Sequence, residues 1–266
     1  MLVGIAGMGA IGMALAERLD AGEEGLTLAA VASRDAAKVA RQVSGFCNPP
    51  EVVDVASLAQ HADVIVEAAP AAVFDDIAGP AVAAGRIFVP SSVAQLLNRD
   101  ELIAQARRTG ARIVVPTGAL LGLDAVRAAA EGGIHAVRMV TRKPPGGLAG
   151  APHLVNNNID VSDLREALLV FKGSARDGAI GFPANVNVAA ALSLAGVGPD
   201  ATELEVWADP GVSRNTHTIH VDAAAVRFEM TIENVPSPEN PRTGLLTPLS
   251  VLATLQGLVS TLKVGT

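Results

Sequence analysis

The first 118 residues alternate short apolar runs with helical stretches, and this pattern leaves few folds open. "LVGIAG", "LTLAAVAS", "DVIVEAA", "RIFVPSS" and "RIVVPTG" are apolar at consecutive positions, so each would bury both of its faces as a strand. Between them lie "AIGMALAERLD", "DAAKVARQV", "AAVFDDIAGPAVAAG" and "NRDELIAQARRTG", which carry helical spacing. Strands that are apolar on both faces belong in a parallel sheet with helices on both sides. Pro80 is expected to break the third helix, because proline removes a backbone donor. Asn98 is expected to cap the fourth, with Glu101 three residues on as its capping-box partner. Half of the residues are hydrophobic, only 3 % are aromatic and none is tyrosine. The core is therefore built from Ala, Val and Leu, which suits helices packed closely on a sheet.

After about residue 120 the pattern changes. "HAVRMVTRKPP" and "AAVRFEMTIENV" alternate apolar and polar residues as half-buried antiparallel strands do. In the second of these, Val226, Phe228, Met230 and Ile232 share one face, while Arg227, Glu229 and Thr231 share the other. "VSDLREALLVFKG" and "NVNVAAALSLAG" read as helices. The expectation is an α/β chain of two domains. A dinucleotide-binding domain spans 1–118, and a smaller α+β domain with an open mixed or antiparallel sheet spans 119–242. A C-terminal helix within 243–266 packs back on the first domain. An open sheet with one uncovered apolar face commonly pairs with a second copy, so a homodimer is expected. The uncharged runs 178–199 and 243–262 contain prolines and amide or hydroxyl side chains that hydrocarbon would penalise, so both read as buried segments rather than membrane spans. Met1 leads into a strand without a basic leader, and the expected compartment is cytoplasmic.

Gly7-Met8-Gly9-Ala10-Ile11-Gly12 has the form G-x-G-x-x-G, after a strand and at the start of a helix. In that context Gly7 permits the tight turn, Gly9 lets a pyrophosphate approach the backbone, and Gly12 allows close helix-to-strand packing. The N–H groups of Ala10 and Ile11 and the helix dipole then face the phosphates. At the end of the second strand an acidic residue would hold the ribose 2′-OH of NAD, but this chain has Ser33-Arg34. A hydroxyl and a guanidinium suit the 2′-phosphate of NADP, so NADP is favoured over NAD, with dual use open. Asp35 reads as the cap of the next helix.

A net charge of −7 and a pI near 5.2 speak against a nucleic-acid partner. The single cysteine, Cys47, excludes an intrachain disulfide or a thiolate metal cluster. Of five histidines, His217 and His220 are three apart. A strand over 215–221 points them to opposite faces, so they are not a metal pair. His220 falls with polar residues and is expected to be solvated. His217 falls with Ile219 and Val221, as either a hydrogen-bonded core histidine or a cleft residue; periodicity leaves that even.

The blocks "GMGAIG", "VVPTGALLGLDAV", "VRMVTRKPP", "VFKGSAR", "FPANVNVAAALSLAG", "ADPGVSRNTHTIHV" and "NPRTGLLTPLSV" together resemble the L-aspartate dehydrogenase family. The resemblance implies an N-terminal Rossmann domain joined to a smaller domain with an open sheet. It implies interconversion of L-aspartate with oxaloacetate plus ammonia, using NAD or NADP, with iminoaspartate available for NAD biosynthesis. By position it makes His217 the acid–base residue and Ala119 and Asn187 cofactor contacts, although Asn187 also reads as a helix cap, as does Asn185. A dicarboxylate needs cations. The candidates are Arg142, Lys143, Arg176, Arg214 and Arg242, with Lys143 and Arg142 placed first. No metal is expected. Alternatives left open are another two-domain NAD(P)H reductase, of the dihydrodipicolinate-reductase or homoserine-dehydrogenase kind, and a non-catalytic dinucleotide sensor.

Overall fold

The computed structural model describes residues 1–183, 186–237 and 244–265. Two compact units divide the chain: Met1–Pro116 with Thr247–Lys263, and Thr117–Leu246 with Val264–Thr266. The first break falls two residues earlier than the sequence pattern suggests.

The first unit holds six parallel strands, β1 (Leu2–Ala6), β2 (Thr27–Ala32), β3 (Glu51–Val53), β4 (Val64–Glu67), β5 (Ile87–Pro90) and β6 (Arg112–Ile113). Their order is β3-β2-β1-β4-β5-β6, the doubly wound Rossmann arrangement. Both faces of the sheet are buried, as the doubly apolar strands require. Val3, Ile5, Val64, Val66 and Val89 join Leu15 and Leu19 of the helix Ala10–Asp20 in one cluster. On the other face Phe88 meets Phe74 of the helix Phe74–Ala83 edge-on, with centroids 5.6 Å apart. Val251, Leu252 and Leu255 of the last helix, Leu246–Val259, belong to the first of these clusters.

Two local expectations for this unit are corrected. Pro80 does not break its helix, which runs from Phe74 to Ala83. It stands in the final turn, where the carbonyl of Pro80 accepts from the Ala84 N–H at 3.0 Å and the helix continues past it to Ala83. Asn98 does not cap the next helix. Residues Val93–Asn98 wind as a 3₁₀ helix, and the α-helix Asp100–Thr109 has Arg99 at its cap position. Arg99 is fixed instead by Asp75, at 2.6 and 2.8 Å, and by the Gln95 carbonyl. The three-residue edge strand β3 was too short to show in the sequence.

The second unit carries five strands, β7 (Ile134–Lys143), β8 (Leu168–Ser174), β9 (Thr202–Ala208), β10 (Asn215–Ala223) and β11 (Arg227–Asn234). The order β11-β10-β7-β9-β8 is mixed, since only β7 and β9 run parallel. "VSDLREALLVFKG" is therefore not a helix. Its second half is β8, an edge strand paired to β9 with a bulge between Leu169 and Phe171. Ladder pairing and the strand preference of Val170 and Phe171 override a helical spacing. "NVNVAAALSLAG" does form the helix Asn187–Ala195.

The apolar face of this sheet is not open. The helices Leu123–Glu131 and Asn187–Ala195 pack together and against it. The opposite face is polar, with Lys172 beside Glu205 at 3.1 Å and Arg227 beside Asp222 at 2.9 Å. A second copy pairing through an uncovered apolar sheet face therefore loses its premise. Among the described residues no helix is long and apolar enough to cross a membrane.

Leu255 is fully buried in the first unit. Leu255→Ala is expected to lower unfolding stability by about 2–5 kcal/mol, the range for removing a buried leucine side chain. Urea denaturation followed by circular dichroism measures it, and a loss under about 1 kcal/mol would mean that the helix adds little to this core.

Candidate active site

In the first unit, β1 ends at Ala6 and the helix Ala10–Asp20 begins after three intervening residues. Gly7 lies at φ +96°, a left-handed conformation that glycine adopts without strain. A Cβ on Gly7 would stand 2.5 Å from the Ala68 carbonyl oxygen, and one on Gly12 would overlap the Gly7 carbonyl. Gly9 differs, because a Cβ there would meet nothing within 4 Å. The space above Gly9 is thus open while Gly7 and Gly12 are closed by backbone. The Met13 N–H donates to the Gly9 carbonyl at 2.9 Å, the first bond of the helix. Donors before it, those of Ala10, Ile11 and Gly12, have no acceptor within a helix of this register. No side chain caps that end. This arrangement fits the pyrophosphate of a dinucleotide, and it lies where the strand order reverses about β1.

Ser33 and Arg34 follow β2 directly; Ser33 is half-buried and Arg34 exposed. Asp35 caps the helix Ala36–Val43, its Oδ1 accepting from the Lys38 N–H at 2.8 Å. Its carboxylate is thereby committed to the helix.

The sequence gives no sign of Glu67, the buried last residue of β4. Its carboxylate accepts from the N–H of Ser92 at 2.8 Å, the Ser92 hydroxyl at 3.0 Å and the N–H of Ala69 at 3.1 Å. Burial raises its pKa, and these bonds oppose the rise. Glu67 ties together the loops that follow β4 and β5, beside the Ala68 carbonyl that confronts Gly7.

In the second unit the side chains of β10 alternate as expected. His217, Ile219, Val221 and Ala223 are buried, while Thr216, Thr218, His220 and Asp222 are half-exposed. His220 is not simply solvated, because its Nδ1 lies 2.9 Å from Glu229 on β11. His217 is 3 % exposed and pairs across the ladders with Thr141 on β7 and Ile232 on β11. Its Nδ1 lies 3.1 Å from the Thr141 hydroxyl. Lys143, two residues beyond Thr141 on the same face, is 6 % exposed. Burial pushes the His217 imidazole down to about 3, with the nearby Lys143 charge adding to the effect. Burial alone takes Lys143 down to about 8. His217 is therefore neutral over the physiological range in the ligand-free protein, and the Thr141 hydroxyl engages its Nδ1.

Lys143 and His217 are thus brought onto one face, and Arg142 is not. Arg142 points to the polar face, where it donates to Asp209 at 2.9 Å and lies over the Trp207 ring, 4.8 Å from the centroid. As a substrate cation it is set aside, because its fork already holds a carboxylate. Arg176 is similarly joined to Asp200, at 2.6 and 2.9 Å. Arg214 is exposed in the bend before β10. Arg242 and Asn185 lie outside the described residues. Ala119 sits half-buried in a turn closed by the Leu120 N–H to the Thr117 carbonyl at 3.0 Å. Asn187 is the first residue of its helix, with Val186 in the cap position.

Thr141 and Asn234 were not anticipated, although both left a trace in the sequence. Each is a polar residue in the inward register of an alternating strand, after Val137 and Met139 in one case and after Ile232 in the other. Asn234 is 5 % exposed, and its Nδ2 donates to the Ala119 carbonyl at 3.0 Å.

The depressed His217 carries a stability signature. Between pH 6.5 and 3 the unfolded chain binds a proton on this histidine and the native protein does not, so stability falls as pH falls through that window. From pH 6.5 to 5 the loss from this one group is about 2 kcal/mol. His217→Leu is expected to remove that part of the acid sensitivity in urea unfolding at the two pH values. An unchanged pH slope would mean that His217 protonates readily in the native state.

The chain is similar to known proteins along almost its whole length. The family described as aspartate dehydrogenase, C-terminal, matches residues 124–258, and the homoserine dehydrogenase NAD-binding domain matches residues 7–116. The chain is 56 % identical to an L-aspartate dehydrogenase of Bradyrhizobium diazoefficiens, over 99 % of this chain and 94 % of that one. It is 53 % identical to L-aspartate dehydrogenase 3 of Bordetella bronchiseptica, over 99 % and 97 %. The crystal structure of aspartate dehydrogenase from Thermotoga maritima superposes with a TM-score of 0.78 at 26 % identity, covering 100 % of this chain and 99 % of that one. With a nucleotide-binding turn in one unit, a buried histidine in the other and relatives matched along almost the whole length, the chain belongs to the aspartate dehydrogenase family.

Proposed function

We propose that this protein is an NAD(P)-dependent L-aspartate dehydrogenase, interconverting L-aspartate with oxaloacetate and ammonia. The observation that carries the reading furthest is the pair of His217 and Lys143, two ionisable side chains buried on one sheet face in a chain 56 % identical to a protein of that name. Burying such groups costs stability, and strongly perturbed ionisable groups cluster at functional sites.

The nicotinamide cofactor, when bound, supplies or accepts the hydride at C2 of the substrate. His217 handles the protons. With Nδ1 engaged by Thr141, Nε2 is the nitrogen offered to the substrate. In the reductive direction ammonia adds to the C2 carbonyl of oxaloacetate. The neutral imidazole carries a proton from the new nitrogen to the oxygen twice, first to form the carbinolamine and then to let the oxygen leave as water and give the imine. General acid–base transfer of this kind contributes roughly 10²–10⁴-fold. Lys143 binds a substrate carboxylate. Burial disfavours its charge, and a carboxylate beside it restores the charged form. The same anion offsets the Lys143 charge felt by His217 and makes the imidazole a better base.

The turn Gly7, Gly9 and Gly12 with the N–H groups of Ala10 and Ile11 cradles the pyrophosphate, and Ala119 and Asn187 contact the nicotinamide end. NADP is the preferred cofactor, because Ser33 and Arg34 offer donors to a 2′-phosphate while the carboxylate of Asp35 is held by its helix cap.

The test follows NADPH and NADH absorbance with oxaloacetate, with and without ammonium. Oxidation that requires ammonium is expected. Equal oxidation without ammonium would instead make the protein a keto-acid reductase. His217→Ala is expected to lose about 10²–10⁴-fold in kcat, while His220→Ala stays within about threefold of wild type, since its partner is a surface carboxylate. Equal losses would remove His217 from the chemistry. Arg34→Ala is expected to lower the NADPH-to-NADH preference by roughly tenfold or more, the size of a lost charge-assisted hydrogen bond. An unaltered ratio would place the cofactor choice elsewhere.

A further inference from the structure

Asn234 closes β11 on the face that carries His217, one ladder step from Ile232, the direct partner of His217. The two residues are diagonal neighbours, with Cα atoms about 7–8 Å apart by sheet geometry. The Asn234 amide has one half satisfied and one half not. Its Nδ2 donates to the Ala119 carbonyl, whereas its Oδ1 is buried and has no hydrogen-bond partner. The amide cannot be turned over to relieve this, because the Ala119 carbonyl only accepts and would then face another acceptor. What the site lacks is therefore a donor.

An orphaned buried acceptor is destabilising, and native proteins hold few of them. A Cβ on Gly244 would stand 3.5 Å from Oδ1, an ordinary contact distance, so Gly244 borders the amide.

We propose that Asn234 is a ligand-binding residue whose Oδ1 accepts a hydrogen bond from an N–H of the bound reactants. This rests on the dehydrogenase reading above, which supplies two such donors, the amino or imino nitrogen on C2 of the substrate and the carboxamide NH₂ of the cofactor. The same side chain holds the Ala119 backbone through Nδ2. One amide thus fixes the turn that carries Ala119 and presents an acceptor beside the proton-carrying histidine. An amide oxygen suits a nitrogen that changes protonation during turnover, since it accepts from an amine, an ammonium or an iminium without titrating itself.

Asn234→Leu removes both functions at similar volume. Asn234→Asp keeps an acceptor in either protonation state and, when protonated, also donates to Ala119. The measurements are thermal unfolding of the ligand-free proteins, calorimetric Kd for NADPH, calorimetric binding of L-aspartate to the cofactor complex, and KM for ammonium set against kcat. Asn234→Leu is expected to weaken one binding constant by roughly tenfold, as for one hydrogen bond to a buried group, while Asn234→Asp stays within about threefold of wild type.

A change in ammonium KM and aspartate binding identifies the substrate nitrogen as the donor. A change in NADPH Kd alone identifies the carboxamide. If both variants are folded and all constants stay within about twofold of wild type, the proposal is wrong. It is equally wrong if Asp weakens binding as much as Leu, which would make the bond to Ala119 the whole role. Asn234→Ala replaces the leucine variant should that one fail to fold. Wild-type turnover with ammonium reports separately on the dehydrogenase reading, and the calorimetric constants decide for Asn234 even where turnover is absent.

Discussion

The first unit depends on a close approach that only missing side chains allow. The Gly7 backbone sits against the Ala68 carbonyl, and the start of the helix Ala10–Asp20 sits against the Gly7 carbonyl. β1, β4 and that helix therefore converge where any larger residue would push them apart. The helix N-terminus and the open space at Gly9 follow from the convergence, as does the buried Glu67, which secures the loops behind it through three hydrogen bonds. A Cβ at either closed position would act on fold and nucleotide binding together, because the same contact serves both.

The second unit solves a different problem. Its inward sheet face must be apolar to hold the helices Leu123–Glu131 and Asn187–Ala195, yet it also bears Thr141, Lys143, His217 and Asn234. These four break the alternation rule and occupy the β10, β7 and β11 positions toward one end of the ladders. Hydrophobic residues of similar size there would make a more stable sheet. The depressed histidine, the depressed lysine and the unsatisfied amide oxygen are three forms of the same expense, polar chemistry maintained where water is excluded.

Much of this was legible in the sequence because periodicity reports burial. The doubly apolar strands specified a parallel sheet, and the alternation in 215–221 separated His217 from His220 before any coordinates. The failures were equally physical. "VSDLREALLVFKG" has helical spacing, but β9 offered β8 a ladder, and long-range pairing is invisible to a local pattern. Asn98 and Glu101 form a capping box on paper, yet Arg99 was already bound to Asp75. Arg142 and Lys143 are adjacent in the chain and opposite in the sheet, so a reading by charge alone treats them as equals. Thr141 and Asn234 could have been found by asking which polar residues fall in an inward register.

The last helix has a consequence for how the protein is made. The first unit draws its core from both ends of the chain, with Val251, Leu252 and Leu255 packed among residues of β1 and β4. A ribosome releases β1 through β6 long before it makes this helix, and residues 117–246 emerge in between. The nascent nucleotide-binding unit must therefore wait with part of its apolar surface uncovered, while the second unit already has its own sheet and helices. During synthesis the later unit can finish first, and the earlier one is completed only when the last helix has emerged.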